Sequence, residues 1–255
     1  MRRSLKRWPS IFLTASICAL AACKDHPAVG KPFDPATLGS VTGTIAFSGT
    51  APTPIKLDTS MDPGCSFSGK DAYTEQYTVS NSKLANVYIY VKSMKLDSGM
   101  GIISGGVSSG PAATIDQKGC IYTPHVVAVQ AGDFVEIDNG DPTMHNIHTM
   151  PTVAGNQPVD TAQGPKGKPQ LIHFNHPEQM VPLRCNVHPW MEAFINVSAT
   201  EWFAVTGPDG KFSLKGMPPG EYTIGAVQEK LGEQDVTVTV KPQTDAKADF
   251  TFAMK

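Results

Sequence analysis

The sequence predicts an all-β protein made of two sandwiches. Short apolar segments of period two recur between turn residues, 23 Gly and 21 Pro punctuate them, and no stretch carries the 3.6-residue apolar period of a long helix. Charged residues are only 17% of the chain and the formal net charge is -2, so the basic face that nucleic-acid binding requires is missing. No internal repeat is evident, and the Gly- and Ser-rich stretch 98–110 reads as a surface loop.

The N-terminus combines a basic start, Met1-Arg2-Arg3, with an apolar run over 11–22. That run has the length of a signal peptide and is too short to span a bilayer. Its end, Leu20-Ala21-Ala22-Cys23, resembles a bacterial lipoprotein box. The resemblance implies removal of residues 1–22, lipidation of Cys23, and a polar tether over 23–39. It places the protein in the cell envelope on the periplasmic side of a bacterial membrane, anchored by lipid rather than spanning. An ordinary cleaved signal that leaves Cys23 free is the alternative.

Residues 61–198 form the first predicted sandwich, with strands at 84–91, 126–130, 134–137, 171–174 and 193–197. The turn Ala131-Gly132-Asp133 is expected to pair two of these as a hairpin, which sets His125 toward the Asn139 end. The loop 138–142 then delivers Met144-His145-Asn146-Ile147-His148, and forty residues on stands Cys185-Asn186-Val187-His188-Pro189-Trp190-Met191. Two imidazoles, one thiolate and a weak axial thioether are the donors of mononuclear blue-copper centres. The C-x2-H-x2-M loop supplies three of them. Side chains alternate across a strand, so Cys185 shares a face with Val181 and Leu183, and Met191 with Ala193, Ile195 and Val197. His145 is in phase with Ile147 and His148 is not, which selects His145 as the fourth donor.

The same residues raise two other chemistries, a nucleophile pair and a different metal site. A Cys-His nucleophile pair lacks a third orienting group at recognisable spacing, and Met is a poor ligand for zinc. A dinuclear copper site needs a second Cys in the loop, and this loop has one.

The two motifs resemble the cupredoxins, those of amicyanin and plastocyanin type above all, over roughly residues 84 to 198. That resemblance implies a Greek-key β-sandwich holding one copper ion, with His145, Cys185 and His188 as strong ligands and Met191 as the axial one. It implies that Asn146 ties the ligand loops together, and that His188 presents its outer edge to a redox protein partner, with Pro189 and Trp190 as an apolar collar. Core packing is the competing role for Trp190. The long polar stretch 150–169 departs from a minimal cupredoxin.

With Cys18 lost in the signal, Cys23 lipidated and Cys185 on copper, Cys65 and Cys120 are left, and export permits a disulfide between them. A second metal on Cys120 and His125 is the alternative. His125 is a candidate second-shell or ligand group, against a simple strand-end histidine. His148, His173 and His176 read as surface or structural, and His26 carries no visible role.

Residues 199–255 form the second sandwich. The string Thr206-Gly207-Pro208-Asp209-Gly210-Lys211-Phe212-Ser213-Leu214, followed by Pro218-Pro219-Gly220-Glu221-Tyr222-Thr223-Ile224, resembles carboxypeptidase regulatory-like domains, which are transthyretin-like. Asp209-Gly210 is expected to turn a hairpin and Pro218-Pro219-Gly220 to make a corner. That family opens on a strand like Gly39-Ser40-Val41-Thr42-Gly43-Thr44-Ile45, so residues 40–60 are expected to join the second sandwich. The rival arrangement starts the first sandwich with them.

The functional expectation is a membrane-tethered, non-catalytic electron carrier. Copper binding or delivery is the second reading and an adhesion module the third.

Overall fold

The computed structural model describes residues 34–68, 71–97 and 113–254. The signal peptide, Cys23, most of the tether and the 98–110 loop lie outside the described residues. Within them the protein is all-β, with 3-10 turns at Pro35–Thr37 and Pro63–Ser68.

Two sheets enclose the core that lies under the candidate metal donors. One has five strands in the order Asp160–Gln163, His145–Thr149, Glu178–Arg184, Glu192–Ser198 and Val126–Gln130, the last pair parallel. The other has four, in the order Gln170–His173, Phe134–Asn139, Ala113–Gln117 and Tyr122–Thr123. Ile115, Val129, Val135, Ile137, Ile147, Val181, Leu183 and Ile195 fill the space between them. The hairpin expected about Gly132 does not form. Gly132 sits at φ +92° and Asp133 N donates to Gln130 O at 3.0 Å, so the chain does turn. The strands on either side then enter opposite sheets, because the core side chains of both are buried only when they face each other across the sandwich.

The second sandwich is assembled from distant parts of the chain. Gly39–Ser48 pairs antiparallel with Lys211–Met217, Gly43 facing Phe212, and parallel with Asp245–Lys247 and Phe250–Ala253. Its opposing sheet runs Phe203–Val205, Tyr88–Leu96, Gly220–Gln228, Gly232–Val240. The segment 84–91, expected in the first sandwich, therefore belongs to the second, and the boundary drawn at residue 61 is corrected accordingly. The reason is visible in its burial. Ile89 and Val91 enter the second core, whereas Tyr88 and Tyr90 face Ala128 and Met180 of the first sandwich. A strand covered on both sides reads as continuously apolar, and its pattern does not say which partner sheet it joins.

Asp209-Gly210 also turns the chain without making a hairpin, since Phe203–Val205 and Lys211–Met217 lie in different sheets. Pro218 and Pro219 do mark a corner, carrying the chain from one sheet to the other. The last tether residues dock on this sandwich: Gln243 donates to Ala36 O at 2.7 Å and to Leu38 O at 3.2 Å.

Candidate metal centre

The donor loop is a seven-residue connection between two paired strands. Arg184 faces Glu192 at its neck, where Arg184 Nη2 and Glu192 Oε1 are 2.6 Å apart. Inside the loop Met191 N donates to His188 O at 2.9 Å, a tight turn that returns His188 toward Cys185. His145 comes from the neighbouring strand, whose alternation of buried and half-buried residues places His145, Ile147 and Thr149 inward. Strand phase thus delivers His145 and leaves His148 at the surface side.

His145, Cys185 and His188 converge. His145 Nδ1 is 3.0 Å from His188 Nδ1, and His188 Nδ1 is 3.6 Å from Cys185 Sγ. All three residues are buried, as is Met191, which packs in the same core as Cys185. Asn146 acts through its backbone, its N–H donating to Cys185 Sγ at 3.3 Å. The side-chain tie between the ligand loops is made elsewhere: His148 Nδ1 lies 2.7 Å from Asn186 Oδ1, and Asn186 Nδ2 donates to Asp160 Oδ1 at 3.0 Å.

Each imidazole is held from behind by a carboxylate. His145 Nε2 is 2.9 Å from Asp141 Oδ2, and Asp141 also accepts from the amides of Gly119 and Cys120 at 2.7 and 2.8 Å. His188 Nε2 is 3.0 Å from Asp62 Oδ2, and Asp62 accepts from Gly64 N at 2.7 Å and Thr143 Oγ1 at 2.6 Å. Both carboxyls are held below their ordinary range. For Asp62 the Thr143 hydroxyl is the chief cause, while for Asp141 His145 and the two amides outweigh an opposing effect of burial. An ionised carboxylate only accepts, so the ring nitrogen facing it carries the hydrogen. The two Nδ1 atoms then meet each other and the thiol as lone pairs.

Without a metal, a proton is the cation that relieves this encounter. Burial lowers the affinity of His145 for it, yet Asp141 and Cys185 prevail and raise the pKa to about 9. Burial also works against a thiolate at Cys185, but the contact with His145 and three backbone amides bring that pKa down to about 6. Two imidazole nitrogens and a thiolate sharing one buried point match the donor chemistry of a soft or borderline metal ion, copper above all.

No family model and no curated protein matches the chain. Among solved structures it is similar to a copper-containing nitrite reductase from Thermus scotoductus SA-01, at 24% identity and TM-score 0.31, covering 38% of this chain and 24% of that one. It is similar to a Cu(I) amicyanin variant at 18% identity and TM-score 0.31, over 44% of this chain and 98% of that one. A purple cupredoxin from Nitrosopumilus maritimus matches at 19% identity and TM-score 0.28, over 34% and 99% respectively. The chain thus spans about a quarter of the nitrite reductase and nearly all of the two smaller proteins.

Two expectations need correction. His125 is not directed at the donors: its Nε2 lies 2.7 Å from Glu229 Oε1 of the second sandwich and its Nδ1 3.2 Å from Glu192 O. The cause is the failed hairpin, which moves residue 125 beside Phe194 instead of opposite Asn139. His188 does not present a free edge either, being 1% exposed beneath Asp62. Trp190 is half-buried, packs on His188 with ring centroids 5.3 Å apart and donates Nε1–H to Cys120 O at 3.0 Å; Pro189 is exposed.

The Cys65–Cys120 disulfide is formed, which removes Cys120 as a partner of His125 in a second metal site. Asp62 and Asp141 escaped the sequence reading. For Asp141 a signal existed in the D-x3-H spacing to His145, because ligand imidazoles are commonly backed by carboxylates. For Asp62 the only local hint is its place three residues before Cys65.

Proposed function

We propose that this chain is an exported, lipid-tethered copper protein that carries single electrons without catalysing a reaction of its own. His145, Cys185 and His188 would hold one copper ion, with Met191, buried in the same core, as a fourth donor. The observation that carries this reading is the convergence of two Nδ1 lone pairs and Cys185 Sγ at one buried point, with the outer nitrogens already committed to Asp141 and Asp62. Copper, when bound, supplies the one-electron couple.

The protein's own residues do the rest. Asp141 and Asp62 fix the ring planes, the Asn146 amide stabilises the thiolate, and the Arg184–Glu192 neck keeps the loop closed. Core packing excludes water from the donors, so little rearrangement accompanies a change of charge. The second sandwich acts as a carboxypeptidase regulatory-like module, a reading that rests on its sequence string and on the strand built from Gly39–Ser48. X-ray absorption on the oxidised and reduced protein tests the proposal: one sulfur and two imidazole nitrogens retained in both states support it, and replacement of the sulfur by oxygen or nitrogen on oxidation overturns it.

Copper delivery is the second reading. Met61 is 79% exposed and Met144 44%, and they adjoin Asp62 and His145 in sequence, placing soft thioethers outside the site. Rapid transfer of Cu(I) to a chelator, lost in Met61→Leu with Met144→Leu, would favour it over electron transfer.

A further inference from the structure

Asp62 stands apart from the other groups around the donors because it is imported. Asp141 lies four residues from His145, whereas Asp62 is 126 residues from His188 and precedes every strand of the first sandwich. It is nonetheless held from three sides. Gly64 N and Thr143 Oγ1 donate to it, and Cys65 ties its segment to Cys120. Thr143 is two residues before His145, so one carboxylate spans the segments that carry both histidines.

We propose that Asp62 is a positioning residue of the copper centre: it fixes the His188 ring through its outer nitrogen, and its negative charge biases the centre toward Cu(II). This inference rests on the copper reading above. Two physical arguments support it. First, a ring buried on all sides with a carboxylate on Nε2 has one orientation and one tautomer, with Nδ1 free toward Cys185. Second, Asp62, Asp141 and the Cys185 thiolate bring three negative charges around the donors. The doubly charged ion gains more from that field than the singly charged one. The Asp62 side chain is 25% exposed, so water screens part of its effect but does not remove it.

The step concerned is the uptake of one electron from an external one-electron donor, which converts Cu(II) to Cu(I) with no bond made or broken in the protein. Removing the charge at Asp62 makes that uptake easier. Asp62→Asn keeps an acceptor for the His188 N–H and deletes the charge. Its expected effect is at least a tenfold shift of the Cu(I):Cu(II) ratio toward Cu(I), which is 59 mV upward for a one-electron couple. Asp62→Ala deletes the anchor as well. Thr143→Val loosens the same loop with the charge in place and is expected to move the ratio less than threefold.

The experiment is redox titration of the full chain and these three variants, with NMR of the His188 ring in the metal-free protein. A slowly exchanging Nε2–H in the wild type, lost in Asp62→Ala, together with the tenfold shift in Asp62→Asn, supports the proposal. An unshifted potential in Asp62→Asn, or an equal shift in Thr143→Val, overturns it while the copper reading stands. A wild-type protein without a protected His188 ring proton overturns the anchor irrespective of copper. A wild-type protein with no thiolate-to-copper absorption overturns the copper reading and the proposal with it.

Discussion

The sulfurs of Cys65 and Cys120 form a disulfide that lies within 4.8 Å of a ring nitrogen of His188. On one side of the bond is the turn that carries Asp62, and on the other are the Gly119 and Cys120 amides that hold Asp141. One covalent link therefore seats both carboxylates behind the two imidazoles.

Replacing both cysteines by serine is expected to weaken fold and site together. With a sequence separation of 55 between the two cysteines, the chain-entropy model gives a cost of about 4 kcal/mol. Loosened carboxylates are expected to reduce metal affinity by about 10–100-fold. Denaturant unfolding of the metal-free protein and competition with a copper chelator measure the two effects separately.

Copper uptake is expected to release protons in a pH-dependent number. A metal must displace whatever proton its donors hold. Above about 9 neither His145 nor Cys185 carries one, between about 9 and about 6 only His145 does, and below about 6 both do. The logarithm of affinity should rise with pH at a slope of at least two below the lower value and at least one between the two, as these two protons are displaced. Chelator competition across that range checks it, and an affinity independent of pH contradicts it.

His125 contributes to a different part of the molecule. Burial alone lowers its pKa, but Glu229, reinforced by Glu75, raises it above the ordinary 6.5. A histidine with a raised folded pKa stabilises fully below its unfolded value and loses that contribution as pH rises through the folded one. Glu229→Gln should cost about 2 kcal/mol on the acid side, flatten the pH dependence of unfolding, and leave copper absorption unchanged. Thermal melts of both proteins from acid to alkaline pH provide the check.

Gly43 tests where the first strand belongs. A Cβ there would lie 1.8 Å from Ala248 O and 2.7 Å from the Phe212 ring. Gly43→Val is expected to destabilise the second sandwich by about 3 kcal/mol. Hydrogen exchange should show protection lost in Lys211–Met217 and Phe250–Ala253 and kept in Glu192–Ser198.

The donors were legible because three of them sit in seven consecutive residues and the fourth follows from strand phase. Local chemistry of that kind survives any arrangement of the remaining chain. What failed was the assignment of the two turns and of the segment 84–91 to particular sheets, whereas Gly39–Ser48 does pair with the C-terminal strands. Gly132 and Gly210 mark reversals, but a reversal within one sheet and a crossing between two use the same turn residues. The run through Tyr88 and Ile89 looked like a core strand and is one, buried on both faces because it lies where the sandwiches touch. Asp62 was invisible for the same reason, since only the folded chain brings it over His188.

Copper is expected to bind the Cys185 thiolate between His145 and His188. Visible absorption and EPR of the protein reconstituted with Cu(II), beside Cys185→Ser, test it most directly. An intense thiolate-to-copper band with the EPR signature of a single copper is expected, both lost in the variant. A weak spectrum that the substitution leaves unaltered would contradict it.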